Sequence, residues 1–222
     1  MKLIGYLQAW AASRQVIEEY APSKLPYPGE LVDAIRERYG FQSFPNVAPG
    51  APPNTTMVFA GGRYDAGDDA FGIGTLIMEA TGDVVQTVTT DQAERVLEDL
   101  ASFLSERFGF RLNEWPQRRS YTSNLVMEFD DVVENYIGKL ADVAAALNRV
   151  KQSPTEVSLK RIAFGGTPAQ IVDHVSDVEQ ADFLIERRVS NPMEPRRYYC
   201  SAPIKTEDHL RLMEEIEHIL KG

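Results

Sequence analysis

Among its 222 residues the chain has a single cysteine, Cys200. No intrachain disulfide can form, and a chain of this length holds a hydrophobic core that needs none. A lone thiol suits a reducing compartment, so the cytoplasm is the expected location. Long apolar runs are missing as well. Nothing approaches the ~20 apolar residues of a membrane-spanning helix, and no membrane association is expected. The N-terminal run Lys2-Leu3-Ile4-Gly5-Tyr6-Leu7 loosely imitates a signal peptide. Gln8 interrupts it and its apolar part is very short, so cleavage is not expected. Positive charge is in deficit: the net charge is −10. An acidic chain repels a phosphate backbone, which argues against nonspecific nucleic-acid binding. The deficit is uneven, with 8 Lys and Arg against 15 Asp and Glu in residues 1–110, and 15 against 18 in residues 111–222.

Compact catalytic motifs are absent too. No Gly-x-Ser-x-Gly occurs in the chain, so nothing marks a nucleophilic serine on a sharp turn. Gly61-Gly62 and Gly165-Gly166 each follow an apolar run. A phosphate cradle would need a helix starting directly after the glycines, with a lysine in a P-loop. Neither is present, so a bulge or tight strand exit is the expected role. Asp65-Ala66-Gly67-Asp68-Asp69 supplies carboxylates without calcium-loop spacing, and reads as an exposed acidic turn. There are three histidines. His209 and His218 stand nine residues apart on one helix and so on roughly opposite faces. His174 lies between Asp173 and Asp177 with no activated serine beside it. Cys200 falls in a strand pattern and reads as a buried thiol packing as a small hydrophobe. No metal and no cofactor are expected.

What is present is a pattern that runs twice. Met57-Val58-Phe59-Ala60-Gly61-Gly62 is echoed by Arg161-Ile162-Ala163-Phe164-Gly165-Gly166. Each is followed by an apolar hairpin and then by an acid-rich amphipathic helix opened by a threonine. The first half reads as an ambiguous element over residues 1–20, a helix over 30–39 closed by Gly40, and strands over 56–60, 72–80 and 84–90. Thr81-Gly82-Asp83 joins the last two strands. A helix over 91–108 follows, capped by Thr90 and stopped by Gly109. Ile73, Thr75, Ile77 and Glu79 share one face of their strand, with Leu76 and Met78 on the other. The polar connector 110–120 is the expected boundary. The second half reads as a strand over 124–130, a helix over 132–150, strands over 157–164, 181–189 and 196–202, and a helix over 207–220.

The fold class is therefore α+β: an antiparallel sheet with helices packed on one face. It reads as two tandem strand-helix-three strands-helix units, 1–112 and 113–222, related by a pseudo-twofold. They are expected to share one continuous sheet and act as a single domain.

The strongest binding candidate is an arginine-tyrosine hairpin. Arg187-Arg188 ends one strand, Arg196-Arg197 begins the next, and Tyr198 follows. Paired strands would gather four guanidinium groups at one end of the sheet, a composition suited to carboxylates, phosphates or a protein partner. Glu186 and Glu194 offer the alternative of ordinary cross-strand ion pairs. The functional expectation is a non-enzymatic binding or assembly protein, recognising a protein partner, a second copy or an anionic ligand. The alternative is an enzyme assembled from dispersed residues such as Arg188, His174 and Asp173.

Overall fold

The structure is a computed structural model that describes residues 1–14, 22, 26–48, 55–67, 69–112, 118–138, 161–164, 182–187 and 196–221. It is α+β. Strand β1 (Lys2–Arg14) is followed by helix α1 (Pro28–Tyr39), strands β2 (Met57–Tyr64), β3 (Phe71–Glu79) and β4 (Gly82–Thr87), and helix α2 (Thr90–Phe108). Then come β5 (Arg118–Glu128), a short α3 (Val133–Tyr136), β6 (Arg161–Phe164), β7 (Phe183–Arg187), β8 (Arg197–Ala202) and α4 (Thr206–Lys221). The hydrogen-bonded order is β2-β3-β4-β1-β5-β8-β7-β6. Among the described residues each half of the chain runs strand, helix, three strands, helix. Of the ambiguous N-terminal element, Lys2–Arg14 is a strand, and residues 15–20 lie outside the described residues.

The chain divides into two compact units, Gln8–Tyr121 and Met1–Leu7 with Thr122–Gly222. In the first, α1 and α2 bury Leu31, Ile35, Val96, Leu97, Leu100 and Leu104 against Ala11, Phe59, Leu76 and Val85 of the sheet. Each of these Leu, Ile, Val and Phe side chains contributes about 1.5–3 kcal/mol by leaving water. Pro28 at the first turn and Gly40 at φ 61° delimit α1, as the asymmetry of helix ends favours. Helix α2 starts one residue earlier than its pattern suggests. Its cap is Thr89, not Thr90, with the Thr89 hydroxyl accepting from the Gln92 N–H at 3.4 Å. Thr90 is helical already and buried.

The paired glycines lie inside β2 rather than at its exit. Met57 and Phe59 point to the core on one side of Gly61, and Tyr64 packs against the same core on the other. Strict alternation would put Tyr64 with Met57 on opposite faces. The φ of 68° at Gly61 re-aims the strand by one position, and only glycine adopts that conformation cheaply. Gly62 lies against Phe41, where a Cβ would come within 2.5 Å of the ring. β3 changes parity at the same level, so Ile73 joins Leu76 and Met78 in the core instead of sharing a face with Thr75 and Ile77.

In the second unit Leu125, Met127, Phe129, Ile185, Cys200 and Met213 form the core, with Leu3, Leu210 and Ile216 packed against it. β5 begins at Arg118, six residues before its expected start. The Met1 amine lies 2.7 Å from Asp130 and 2.6 Å from the buried Glu217, and Lys221 pairs with Asp130 too. These partners hold the Asp130 carboxyl down at about 2. Of the expected helix over 132–150, residues 139–150 lie outside the described residues, as do Gly165-Gly166.

Candidate binding surface

In the unit Gln8–Tyr121 the helices occupy one face of the sheet, and alternation sends every second side chain to the other. Register defines what lies there. Val58 pairs with Ile77, Ile77 with Val84, and Val84 with Ala12, giving one apolar row across four strands. The next row is Ala60, Thr75, Gln86 and Trp10. Val58 on the edge strand is 48% exposed, while Ile77, Val84 and Trp10 are half-buried. Among the described residues no helix packs on this face.

Its polar members are tied to one another. Thr75 donates from Oγ1 to Gln86 Oε1 at 3.0 Å, and Gln86 Nε2 donates to Gln8 Oε1 at 2.6 Å. This lateral chain fixes the Gln86 amide and leaves the Val58–Ile77–Val84 row beside a satisfied polar border. Beyond the row, Glu79 and Arg14 both pair with Gly82, so one charge of each sign sits at that rim.

On the helix side the same strands carry a buried polar group. Asp83 pairs with Ser13 of β1 and Met78 of β3 and is 4% exposed. It belongs to β4 rather than to the hairpin connection: the turn is Ala80-Thr81, and Gly82, at φ 137°, opens the strand. Alternation back from Thr87 and Val85 is the signal that places Asp83 inward. Asp83 Oδ1 and Arg119 Nη1 are both buried without a hydrogen-bond partner among the described residues. Burial lifts the Asp83 carboxyl to about 7, with the positive charge of Arg119 pulling the other way. Arg119 is lowered by its own burial, opposed by Tyr121, Glu94, Glu98 and Asp83. Tyr121 donates to Glu94. A second charged cluster, on α1 and α2, is fully paired: Arg38 donates to Asp99 at 2.8 and 2.5 Å, and the Tyr39 hydroxyl at 2.6 Å. Burial alone would raise Asp99, but these bonds hold it below the usual carboxylate range.

No family model, curated protein or solved structure matches this chain. What it does must be argued from its own residues.

The arginine-tyrosine hairpin is only partly gathered by the structure. Arg187 pairs in register with Tyr198, and its guanidinium lies 6.0 Å from the centre of the tyrosine ring. Tyr198 is a core residue, 3% exposed, and its hydroxyl accepts from the Val133 N–H at 2.9 Å. Arg197, one position before Tyr198, projects to the opposite face by alternation, where it lies 3.6 Å from Glu128. Arg196 also reaches Glu128 at 3.3 Å and donates to the Asp130 carbonyl at 3.0 Å. Glu128 is thus a cross-strand charge partner of Arg196 and Arg197, and Glu186 pairs in register with Arg161. Arg188 and Glu194 lie outside the described residues.

The other candidates take structural places. His209 is fully buried, edge-on to Phe183 with centroids 6.2 Å apart. Burial depresses it to about 4; the Ser123 backbone favours the charged ring, yet neither ring nitrogen has a hydrogen-bond partner among the described residues. His218 is exposed on the same helix. Burial also pushes the Cys200 thiol far up, the reverse of what a nucleophile needs. In the acidic turn, Asp65 lies 4.0 Å from Arg63 and Asp69 lies 3.1 Å from Arg95; Asp68 is outside the described residues. His174 and Asp173 are outside them also. Among the described residues no three His, Cys, Asp or Glu side chains gather to hold a metal, and no helix is long and apolar enough to cross a membrane.

Proposed function

We propose that this chain is a non-enzymatic binding protein, and that it docks a protein partner on the sheet face of the unit Gln8–Tyr121 that no described helix covers. The observation that carries the reading is the apolar row Val58–Ile77–Val84–Ala12, continued by Trp10, on a face where no described helix packs. A sheet with one solvated face ordinarily alternates apolar inside with polar outside. Here Val58 is exposed and Ile77 and Val84 stand half-buried in register with it, with half-buried Trp10 beside them and buried Ala12 ending the row. Contiguous exposed apolar side chains with a polar rim mark interaction surfaces, and tryptophan is enriched among residues that dominate binding energy. The described acid-base candidates support this over an enzyme: His209 and Asp83 are sealed in the core rather than facing a cleft.

The test is affinity capture from the native host with the wild-type chain, Val58→Glu and Val84→Lys side by side. The reading expects one protein recovered in constant proportion by wild type and lost from both variants, whose far-UV spectra match wild type. Equal recovery by all three folded chains contradicts it.

A further inference from the structure

We infer that Asp83 and Arg119 form a proton-operated switch on the helix side of the unit Gln8–Tyr121. With Asp83 protonated, the Arg119 guanidinium stays beside the acids of α2. When Asp83 releases its proton to solvent, that guanidinium swings inward and donates to the carboxylate. The switch is independent of the docking face, whose side chains alternate to the other side of the sheet.

Alternation places both groups on one side. Asp83 follows Val85 inward, and Arg119 shares its face with Tyr121, which packs against the same core and donates to Glu94 of α2. Only β1 stands between β4 and β5 in the sheet order, so about 10 Å separates the two backbones. An arginine side chain reaches across such a gap and an aspartate does not. Even so, Asp83 Oδ1 and Arg119 Nη1 are buried with no hydrogen-bond partner among the described residues. Burying an unbonded carboxylate costs far more than burying a protonated carboxyl. The unbonded pair is therefore the protonated arrangement.

Asp83 has no room to move towards its counterion. Its backbone is laddered to Ser13 on one side and Met78 on the other. Gly82 before it packs so closely on β1 that a Cβ would sit 2.0 Å from the Ser13 carbonyl oxygen. Arg119 is the second residue of β5, half-buried and long, and is the member that moves.

The charges around the pair give the guanidinium two places to go. Among the described residues Arg119 is the one charge acting on Asp83; its ladder partners Ser13 and Met78 are uncharged. Arg14 and Glu79, one position further along those strands, alternate to the other face. On Arg119 act Tyr121 of its own strand, Glu94 and Glu98 of α2, and Asp83. Glu98 is exposed, and half-buried Glu94 already accepts from Tyr121. Water weakens their hold, whereas an ionised Asp83 attracts through a medium of low dielectric. Ionisation thus tips the competition towards Asp83. Burial keeps that proton on up to about 7 against the pull of Arg119, which sets the exchange near neutrality. Below it Arg119 ties β5 to α2; above it, β5 to β4 across β1.

The experiment is a double-mutant cycle on the full-length chain: wild type, Asp83→Asn, Arg119→Gln and the double variant, unfolded in urea at about pH 5 and about pH 9. Solvent exchange of the Arg119 guanidinium protons, followed by NMR in wild type and Asp83→Asn, accompanies it. Coupling between the two sites is expected to be absent at the lower pH and at least tenfold at the higher, ~1.4 kcal/mol. Above neutrality the wild-type guanidinium protons should exchange at least tenfold more slowly than those of Asp83→Asn. Coupling that is equal at both pH values, or absent at both, overturns the switch. Coupling that grows with pH while exchange stays unslowed is attraction without movement, and overturns it as well. For any variant that does not fold, the wild-type titration decides alone. The Arg119 guanidinium resonances must then shift with a midpoint at about 7, and resonances unmoved through neutrality overturn the inference.

Discussion

Replacing Asp83 by asparagine changes the pH dependence of stability in a direction that the structure fixes. The carboxyl is buried beside Ser13 and Met78, and its folded-state value is about 7 against an ordinary 3.8. A value raised by folding means the folded chain holds the proton longer than the unfolded chain does. The associated stability is complete below 3.8 and is lost as pH rises through 7. Each pH unit in that window is worth ~1.4 kcal/mol, so the whole loss is about 4 kcal/mol. Asparagine keeps the shape and cannot ionise. Urea unfolding of wild type and Asp83→Asn, run side by side from about pH 4 to about pH 8, isolates the group, because every other titration cancels in the difference. The variant is expected to gain on wild type by ~1.4 kcal/mol per pH unit across the window, then level off above neutrality. A difference that stays constant with pH, or one that shrinks as pH rises, refutes the burial argument.

Further outcomes follow from the same geometry. His209 has the opposite sign: burial lowers it from 6.5 to about 4, so its contribution is complete above 6.5 and lost as pH falls to 4. His209→Gln should therefore gain on wild type by about 3 kcal/mol as pH falls over that range, read from the difference in urea unfolding between the two chains at both ends. Gly82→Ala sets a Cβ 2.0 Å from the Ser13 carbonyl oxygen at φ 137°, and should cost at least ~1–3 kcal/mol in thermal or urea unfolding. Tyr198→Phe removes the acceptor of the Val133 N–H and should cost about 1 kcal/mol, since it leaves a buried donor unmet; hydrogen exchange at Val133 should rise with it.

Much of the fold can be read from periodicity alone. Ala93, Val96, Leu97, Leu100 and Leu104 recur at helical spacing, and these residues make α2 and its buried side. Gly40 and Gly109 end their helices at φ 61° and 73°, as the glycine positions suggest. Local signals fail where long-range geometry decides. β1 carries both helical and strand spacing, and its pairing with β4 settles the matter. The parity change in β2 depends on one positive φ at Gly61, which the residue type permits but does not demand. Asp83 looks like turn chemistry beside Gly82, yet alternation with Val85 carries it inward. The apolar row is less legible still. Val58, Ile77, Val84 and Ala12 are scattered over 73 positions of sequence, and only register brings them side by side. The arginine hairpin shows the converse case: its residues are adjacent in sequence, but alternation sends Arg187 and Arg197 to opposite faces of the sheet.

The central claim is that Val58, Ile77 and Val84 form the docking face, with Trp10 beside them. The most direct measurement is a titration of the protein captured from the host, purified, into the wild-type chain and into Val84→Lys, followed by Trp10 fluorescence in a Trp115→Phe background. The account predicts a saturable change in Trp10 emission with wild type, and affinity at least tenfold weaker with the lysine, a loss of ~1.4 kcal/mol or more. Equal affinity for both chains, or binding that leaves Trp10 emission unmoved, contradicts it.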